Sequence, residues 1–386
     1  MYKWLYFFII GFMFFSPLVL ADNLVENKTY QFLVISDIHF DPFQNCSHQQ
    51  PCLLIQKLRA APAREWGKIL ANNNKTLPDY HYDTNYTLLK TTTDFAKTLA
   101  ETEKVQFVLF LGDALGHNYR RYYKKYAADS TSSGYQSFVR KTLEFLTLEL
   151  AHSFPAVNVY MATGNNDSYQ DDYVAIPNGD FFKETAILWG SLIKNKTSRT
   201  SMEEEFAKAG YYALHLDNHT CLILLNSNLF SRNEKGKNIE KAAQDELNWL
   251  HQVLSELTAK KQKIFIAMHV PEGIDIYLSP HTPLFTLTNL WKTEYIQRFE
   301  AELEQFSANI AGVFSSHLHT NWLHMITYKN NNEVPVIGVA SISPIFGNDP
   351  TVKIFTYSPQ LEKLTNFVSY SLKAKATWEK EYTSAL

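Results

Sequence analysis

The sequence predicts an α/β fold with two packed sheets. Three observations carry that expectation. Short β-branched and aromatic runs alternate with longer segments of helical period up to about residue 320, and only strand-like runs follow. No repeat, low-complexity linker or shift in composition divides the chain, which favours one domain over two. Residues 29–36, 105–111, 156–163, 211–216, 221–226, 263–269 and 310–316 read as strands, each a run of Val, Ile, Leu, Phe and Tyr. Residues 240–257 place Leu247, Leu250, Val253, Leu254 and Leu257 on one helical face. The later strands are 323–328, 334–341, 351–357 and 366–371. Two long insertions interrupt this order, residues 41–86 and 114–135, each just after a strand that ends in a charged residue. The first reads as a partly helical excursion beside a site, and a rim role is expected of it.

The chain has 386 residues, 36 basic against 39 acidic, and a formal charge of −3. That balance excludes duplex binding through broad phosphate neutralisation, so an anionic partner must be met locally. Residues 1–21 carry Lys3, an apolar run over 4–20 and a small residue, Ala21, and read as a signal peptide. Its removal leaves residues 22–386 as one extracytoplasmic domain, secreted, periplasmic or lumenal, with no later segment for stable membrane insertion. In an oxidising compartment Cys46 and Cys52, with five residues between them in a polar loop, could close a small disulfide. Cys221 lies in an apolar strand and reads as a buried thiol. Oligomeric state leaves no trace in the sequence.

Five strand-like runs end at their carboxyl side in a potential metal ligand. These are Asp37 and His39, then Asp113, Asn165, His269, and the pair His317 and His319. Each alone is weak, because a lone Asp after Gly is commonly a turn and a lone His is commonly structural. Ligands gather outside the carboxyl ends of strands in open α/β sheets, so all seven can converge. Two carboxylates, four imidazoles and an amide oxygen suit Zn, Mn or Fe rather than Ca or Mg. Seven side chains exceed one tetrahedral site and suit two divalent or trivalent ions, Zn first, with Asp113 bridging.

Asp37-X-His39, Gly112-Asp113, Gly164-Asn165-Asn166-Asp167, His269 before Val-Pro, and His317-X-His319 together resemble the signature of the calcineurin-like metallophosphoesterases. HFDPF (39–43), GDALGH (112–117), LNSNLFSRN (225–233), HVPEG (269–273) and SISPIFGNDPTVKIF (341–355) are similar to the acid sphingomyelinase-like phosphodiesterases and the related endopolyphosphatases. The resemblance implies a four-layer αββα sandwich with two mixed sheets. It implies one metal on Asp37, His39, Asp113 and His319, and a second on Asp113, Asn165, His269 and His317. The family usually has His where this chain has Asn166. An amide can hydrogen-bond a phosphoryl oxygen but cannot transfer a proton near neutral pH. The endopolyphosphatase branch resembles this chain in that position. Tyr82 replaces a Cys common before Asp-Thr, Ser316 replaces a common Gly, and the saposin module of acid sphingomyelinase is absent from this sequence.

Metal-assisted hydrolysis of a small phosphorylated substrate follows, with the ions activating water and neutralising the phosphoryl oxygens. By resemblance His117 protonates the leaving group, and Asn166 completes the catalytic pair. Residues 118–127 put Tyr119, Arg120, Arg121 and Tyr122 beside the site, where they would grip a base or polyanion or else pack as a helix face. Asn228 and Glu272 are further rim candidates by position. A soluble phosphodiester or phosphoanhydride, nucleotide-like or polyphosphate-like, is the expected substrate. Two readings compete: a sphingomyelinase-type phospholipid phosphodiesterase, and a secreted non-catalytic binding protein on a degenerate scaffold.

Overall fold

Short, wholly apolar strands can be satisfied only when both of their faces are covered, and that requirement organises this molecule. The computed structural model describes residues 29–46, 50–73, 75–279, 287–373 and 376–386. The segment read as a signal peptide lies outside them. In the first sheet are β1 (Tyr30–Ile35), β2 (Phe107–Phe110) and β3 (Asn158–Met161). The second holds β4 (Tyr212–His215), β5 (Thr220–Leu224), β6 (Lys263–Ala267), β7 (Ile310–Ser315), β8 (Trp322–Thr327) and β9 (Glu333–Gly338). The chain then returns to the first sheet with β10 (Thr351–Ser358), β11 (Lys363–Lys373) and β12 (Thr377–Ala385). The orders are β12-β11-β10-β1-β2-β3 and β4-β5-β6-β7-β9-β8. Both sheets are mixed: β1, β2 and β3 run parallel, as do β5, β6, β7 and β9, with antiparallel neighbours outside them.

Phe32 of β1 locks the two sheets together, with its ring 5.5 Å from Phe265 and 5.6 Å from Phe314 of the opposite sheet. Helices cover the outer faces. They are α1 (Leu53–Ala60), α2 (Trp66–Ala71), α3 (Tyr86–Thr102), α4 (Tyr119–Tyr126), α5 (Ser132–Ser153), α6 (Asp180–Gly190), α7 (Lys196–Ala209), α8 (Ile239–Ala259) and α9 (Thr293–Phe306). One contiguous apolar core joins both sheets and the helices. The expected helix at 240–257 is α8, and Leu247, Leu250 and Leu254 are its fully buried stripe.

The partly helical 41–86 insertion is well packed, because α1 and α2 bury Ile55, Leu58, Trp66 and Leu70 against the core. The strand β12 was not expected, since its alternation is weak and seven of its nine residues are exposed edge positions. Cys46 and Cys52 are bonded to each other, and Cys221 is a buried free thiol within 2.9 Å of His215 Nδ1.

Lys353 of β10 is buried between the sheets, its Nζ 3.4 Å from the Gly338 carbonyl and 4.5 Å from the Phe367 ring centroid. Burial pushes its pKa down from 10.5 to about 7, opposed only by Glu381. Between those values the unfolded chain holds a proton that the folded one has lost, so this residue makes stability rise with pH. Lys353→Met is therefore expected to stabilise the fold by about 1–4 kcal/mol at and below neutral pH. The gain should shrink as pH rises toward 10.5, as read by urea denaturation across that range.

Candidate metal centre

Parallel register brings the strand ends together. Ile35 pairs with Phe110, Phe110 with Met161, and Ala267 with Phe314, so the residues just beyond β1, β2, β3, β6 and β7 share one edge of the sandwich. There Asp37, His39, Asp113, His317 and His319 all adopt left-handed backbone, with φ of 50°, 45°, 58°, 68° and 55°. Non-glycine residues rarely hold that conformation, and its concentration at one point marks strain maintained for a function. Close packing forces glycine nearby: a Cβ on Gly164 would lie 2.1 Å from the Asp113 nitrogen, and one on Gly112, itself at φ 102°, 2.6 Å from the Gly164 nitrogen.

Two groups of donors meet at Asp113 Oδ2. On one side His39 Nε2 lies 3.4 Å from it, 3.6 Å from Asp37 Oδ1 and 3.2 Å from His319 Nε2, which is itself 3.4 Å from Asp37 Oδ1. On the other, His269 Nε2 lies 3.2 Å from Asp113 Oδ2 and 3.0 Å from Asn165 Oδ1. The potential ligand atoms of Asp113, His269 and His317 also fall within 4.8 Å of one another. His39 donates from Nδ1 to the Leu115 carbonyl and His269 from Nδ1 to that of Leu111, which turns both Nε2 atoms inward.

This crowd of lone pairs fits divalent cations. Asp37 is fully buried with no hydrogen bond to either carboxylate oxygen, and the buried Nδ1 of His319 also has none, an arrangement that leaves polar groups unsatisfied without an ion. Charge within the protein alone is balanced by protons. Burial disfavours charge on His39 and His269, but Asp113 and Asp37 outweigh it and push them up to about 10 and about 9. Burial lowers His317 to about 4 and His319 to about 3.

Asn166 is turned toward Asp113. Its backbone N–H donates to Asp113 Oδ1 at 2.8 Å and its Nδ2 to Oδ2 at 2.9 Å, so it positions Asp113. Beneath it Asp167, not singled out in the sequence, accepts the N–H groups of Asp113, Ala114, Leu115 and Gly164. Burial and the charge of Asp113 raise Asp167 to about 7. Asp172 accepts from Asn165 Nδ2 at 2.7 Å, and the Tyr173 hydroxyl lies 3.1 Å from His317 Nε2.

His117 stacks on His39 with ring centroids 4.0 Å apart, and its side chain is 28% exposed. Asp83 grips it twice, accepting the backbone N–H at 2.7 Å and facing Nδ1 at 3.0 Å. Asp83 was not among the sequence candidates because it lies near the end of the first insertion, away from any strand end; only its place in an Asp-Thr pair after Tyr82 hinted at it.

The rim candidates differ in how far they are open. Tyr119 is buried, packs on Phe43 and shares its hydroxyl with Thr142. The helical tyrosine stripe is thus largely core, with Tyr123 buried beside it. Arg120 is half-buried, over Tyr135 and bonded to the Gln170 carbonyl. Asn228 is buried and donates to the Thr163 carbonyl. Glu272 is half-buried, and burial and then Glu300 of α9 raise its pKa; no ligand-set residue contributes to that shift. Arg121 is exposed and Tyr122 half-buried.

With this geometry in view the comparisons decide the family. The model for calcineurin-like phosphoesterases matches residues 30–321. The chain is a calcineurin-like phosphoesterase. A cyclic GMP-AMP phosphodiesterase of Rattus norvegicus is 24% identical over 92% of this phosphoesterase and 75% of its own length. Sphingomyelinase phosphodiesterase D of Dictyostelium discoideum is 25% identical over 95% and 81%. A solved dimetal phosphatase from Danio rerio shares the fold, with a TM-score of 0.51 and 11% identity over 88% of this chain and 95% of that one. The phosphoesterase belongs to the acid sphingomyelinase-like branch and is a metal-dependent hydrolase of phosphoric esters.

Because ligands bind metal only after shedding protons, affinity should rise with pH until His269 and His39 are neutral, near 9 to 10. Titration calorimetry of the chelated protein in buffers of differing ionisation enthalpy should show proton release at pH 7. Asp113→Asn should lower bound metal at least about tenfold by elemental analysis with the fold kept, as carboxylate loss weakens both donor groups.

Proposed function

We propose that this phosphoesterase is a secreted binuclear-metal enzyme that hydrolyses phosphodiester or phosphoanhydride bonds of a soluble, nucleotide-like or polyphosphate-like substrate. Export rests on the apolar segment over residues 4–20, and no helix among the described residues is long and apolar enough to cross a membrane. The two donor groups meeting at Asp113 Oδ2 support two ions, with Zn first and Mn or Fe as alternatives. When bound, the ions polarise the phosphoryl group and lower the pKa of the attacking water.

The observation that carries the reading is the Asp83–His117 pair. Asp83 accepts a hydrogen bond from the His117 Nδ1–H, so the remaining nitrogen, Nε2, is the one free to take up and release a proton. The ring is held against His39 and is partly open, which supports a role for that nitrogen in protonating a departing oxygen. Asn166, fixed on Asp113, offers no second acid. Rather than transferring protons, it and Asp167 keep Asp113 in place.

Relatives named for cyclic GMP-AMP and for sphingomyelin leave two chemistries in play. Bis-p-nitrophenyl phosphate, cyclic GMP-AMP, polyphosphate and sphingomyelin should be compared side by side, after chelation and after return of Zn or Mn. Hydrolysis abolished by the first and restored by the second is expected, and its absence on every substrate would establish the non-catalytic binding reading. His117→Gln and Asp83→Asn should cut kcat about 100-fold for alkoxide leaving groups but much less for p-nitrophenolate, with metal content unchanged. Equal losses on both would remove His117 as the acid.

A further inference from the structure

A large apolar ring left open on a rigid support, beside buried histidines, costs solvation energy that packing alone does not explain. Phe346 is such a ring. It sits at 48% exposure on the turn from Pro344 to Gly347, which is closed by the Gly347 N–H donating to the Pro344 carbonyl at 3.0 Å. The segment holding that turn is fastened at several points. Ser343 donates from its hydroxyl to Asp83, Asn348 donates to Ser341 and Ser343, and the His81 N–H reaches the Pro344 carbonyl. Phe346 is therefore open by construction and not through slack in its loop.

Its surroundings set it apart from scattered surface hydrophobics. The ring lies edge-to-face with His319, centroids 4.7 Å apart, and 5.8 Å from His117. Tyr277 stacks on it at 5.0 Å with 29° between planes. Tyr277 is itself 41% exposed, and its orientation is fixed by a hydroxyl bond to the Leu318 carbonyl at 3.0 Å. Two stacked rings, each with nearly half its surface open, thus adjoin the candidate acid and a candidate ligand.

We propose that Phe346 and Tyr277 form a subsite for a planar aromatic ring carried by the substrate, such as a nucleobase one sugar removed from the phosphorus. The inference rests on the phosphoesterase reading and narrows it to the nucleotide-like class over polyphosphate. A ring already stacked on a fixed neighbour and still nearly half open can stack on a further ring, and such stacking is sequence-tolerant among bases and needs no hydrogen-bond readout. Polyphosphate would call for cations at this place, and neither residue supplies one.

The test uses the full mature chain with its metals and compares AMP with ribose 5-phosphate by titration calorimetry. Stacking predicts that AMP binds about tenfold more tightly. Phe346→Ala should bring the ratio near one, and Phe346→Trp should keep it, which separates loss of a ring face from loss of folding. A ratio near one in the unmodified protein, or one that survives Phe346→Ala, overturns the proposal. So does dodecylphosphocholine binding that falls in Phe346→Ala by the same factor as AMP, since an alkyl chain has no ring face. Turnover of bis-p-nitrophenyl phosphate in the same preparation reports on the phosphoesterase reading separately.

Discussion

Asp113 is the constraint on which the rest of the site depends. Its buried carboxylate lies within 3.4 Å of His39 on one side and 3.2 Å of His269 on the other, and so ties together residues from both sheets. A carboxylate in that position must be held ionised against desolvation. The charges of His269 and His39 and the backbone N–H of Asn166 do so, keeping its pKa well below the usual carboxylate range. Asp167 then fixes the backbone beneath it by accepting four N–H groups. Because that carboxylate is close to Asp113, its own proton affinity rises, and the strained turn is held by one anion that another anion disfavours.

The sheets explain why strain is tolerable here. Asp37, Asp113 and His317 each follow a strand buried on both faces, and inter-sheet contacts such as Phe32 with Phe314 leave the strand ends little room to relax. Bonds also cross between sheets at the site itself: His269 Nδ1 reaches the Leu111 carbonyl, and Ser316 Oγ reaches the same oxygen. Left-handed backbone at five neighbouring positions is a cost that a well-packed sandwich can carry.

The seven proposed ligands could be read from the sequence because each sits at a fixed offset from an apolar strand, and parallel strands end together. Their convergence was a consequence of register, which hydrophobic runs encode. Asp83 could not be read that way. It belongs to an insertion whose path depends on how α1 and α2 dock, and nothing in local spacing says that residue 83 will face residue 117. Phe346 was hidden for a different reason: it lies within a motif quoted for family resemblance, and a Phe beside Ile345 reads as core until its exposure is seen. The tyrosines of α4 misled in the opposite sense. A helical stripe beside a site can be substrate contact or packing, and burial of Tyr119 and Tyr123 decides for packing.

The chain's departure from its family at Asn166 gives the site a direction. Phosphoryl transfer places the attacking and leaving oxygens roughly in line on opposite sides of phosphorus. A departing alkoxide needs a proton, and of the two polar groups proposed for catalysis only His117 can give one, since the Asn166 amide cannot. His117 stands against His39 and within 5.8 Å of Phe346, whereas Asn166 is fixed on Asp113. The leaving oxygen must then lie on the side of His117, which is also the side of the aromatic platform. A ring stacked on Phe346 would belong to the group that departs. A substrate bound in reverse would present its leaving oxygen away from the only acid, and would turn over only where that oxygen is stable as an anion.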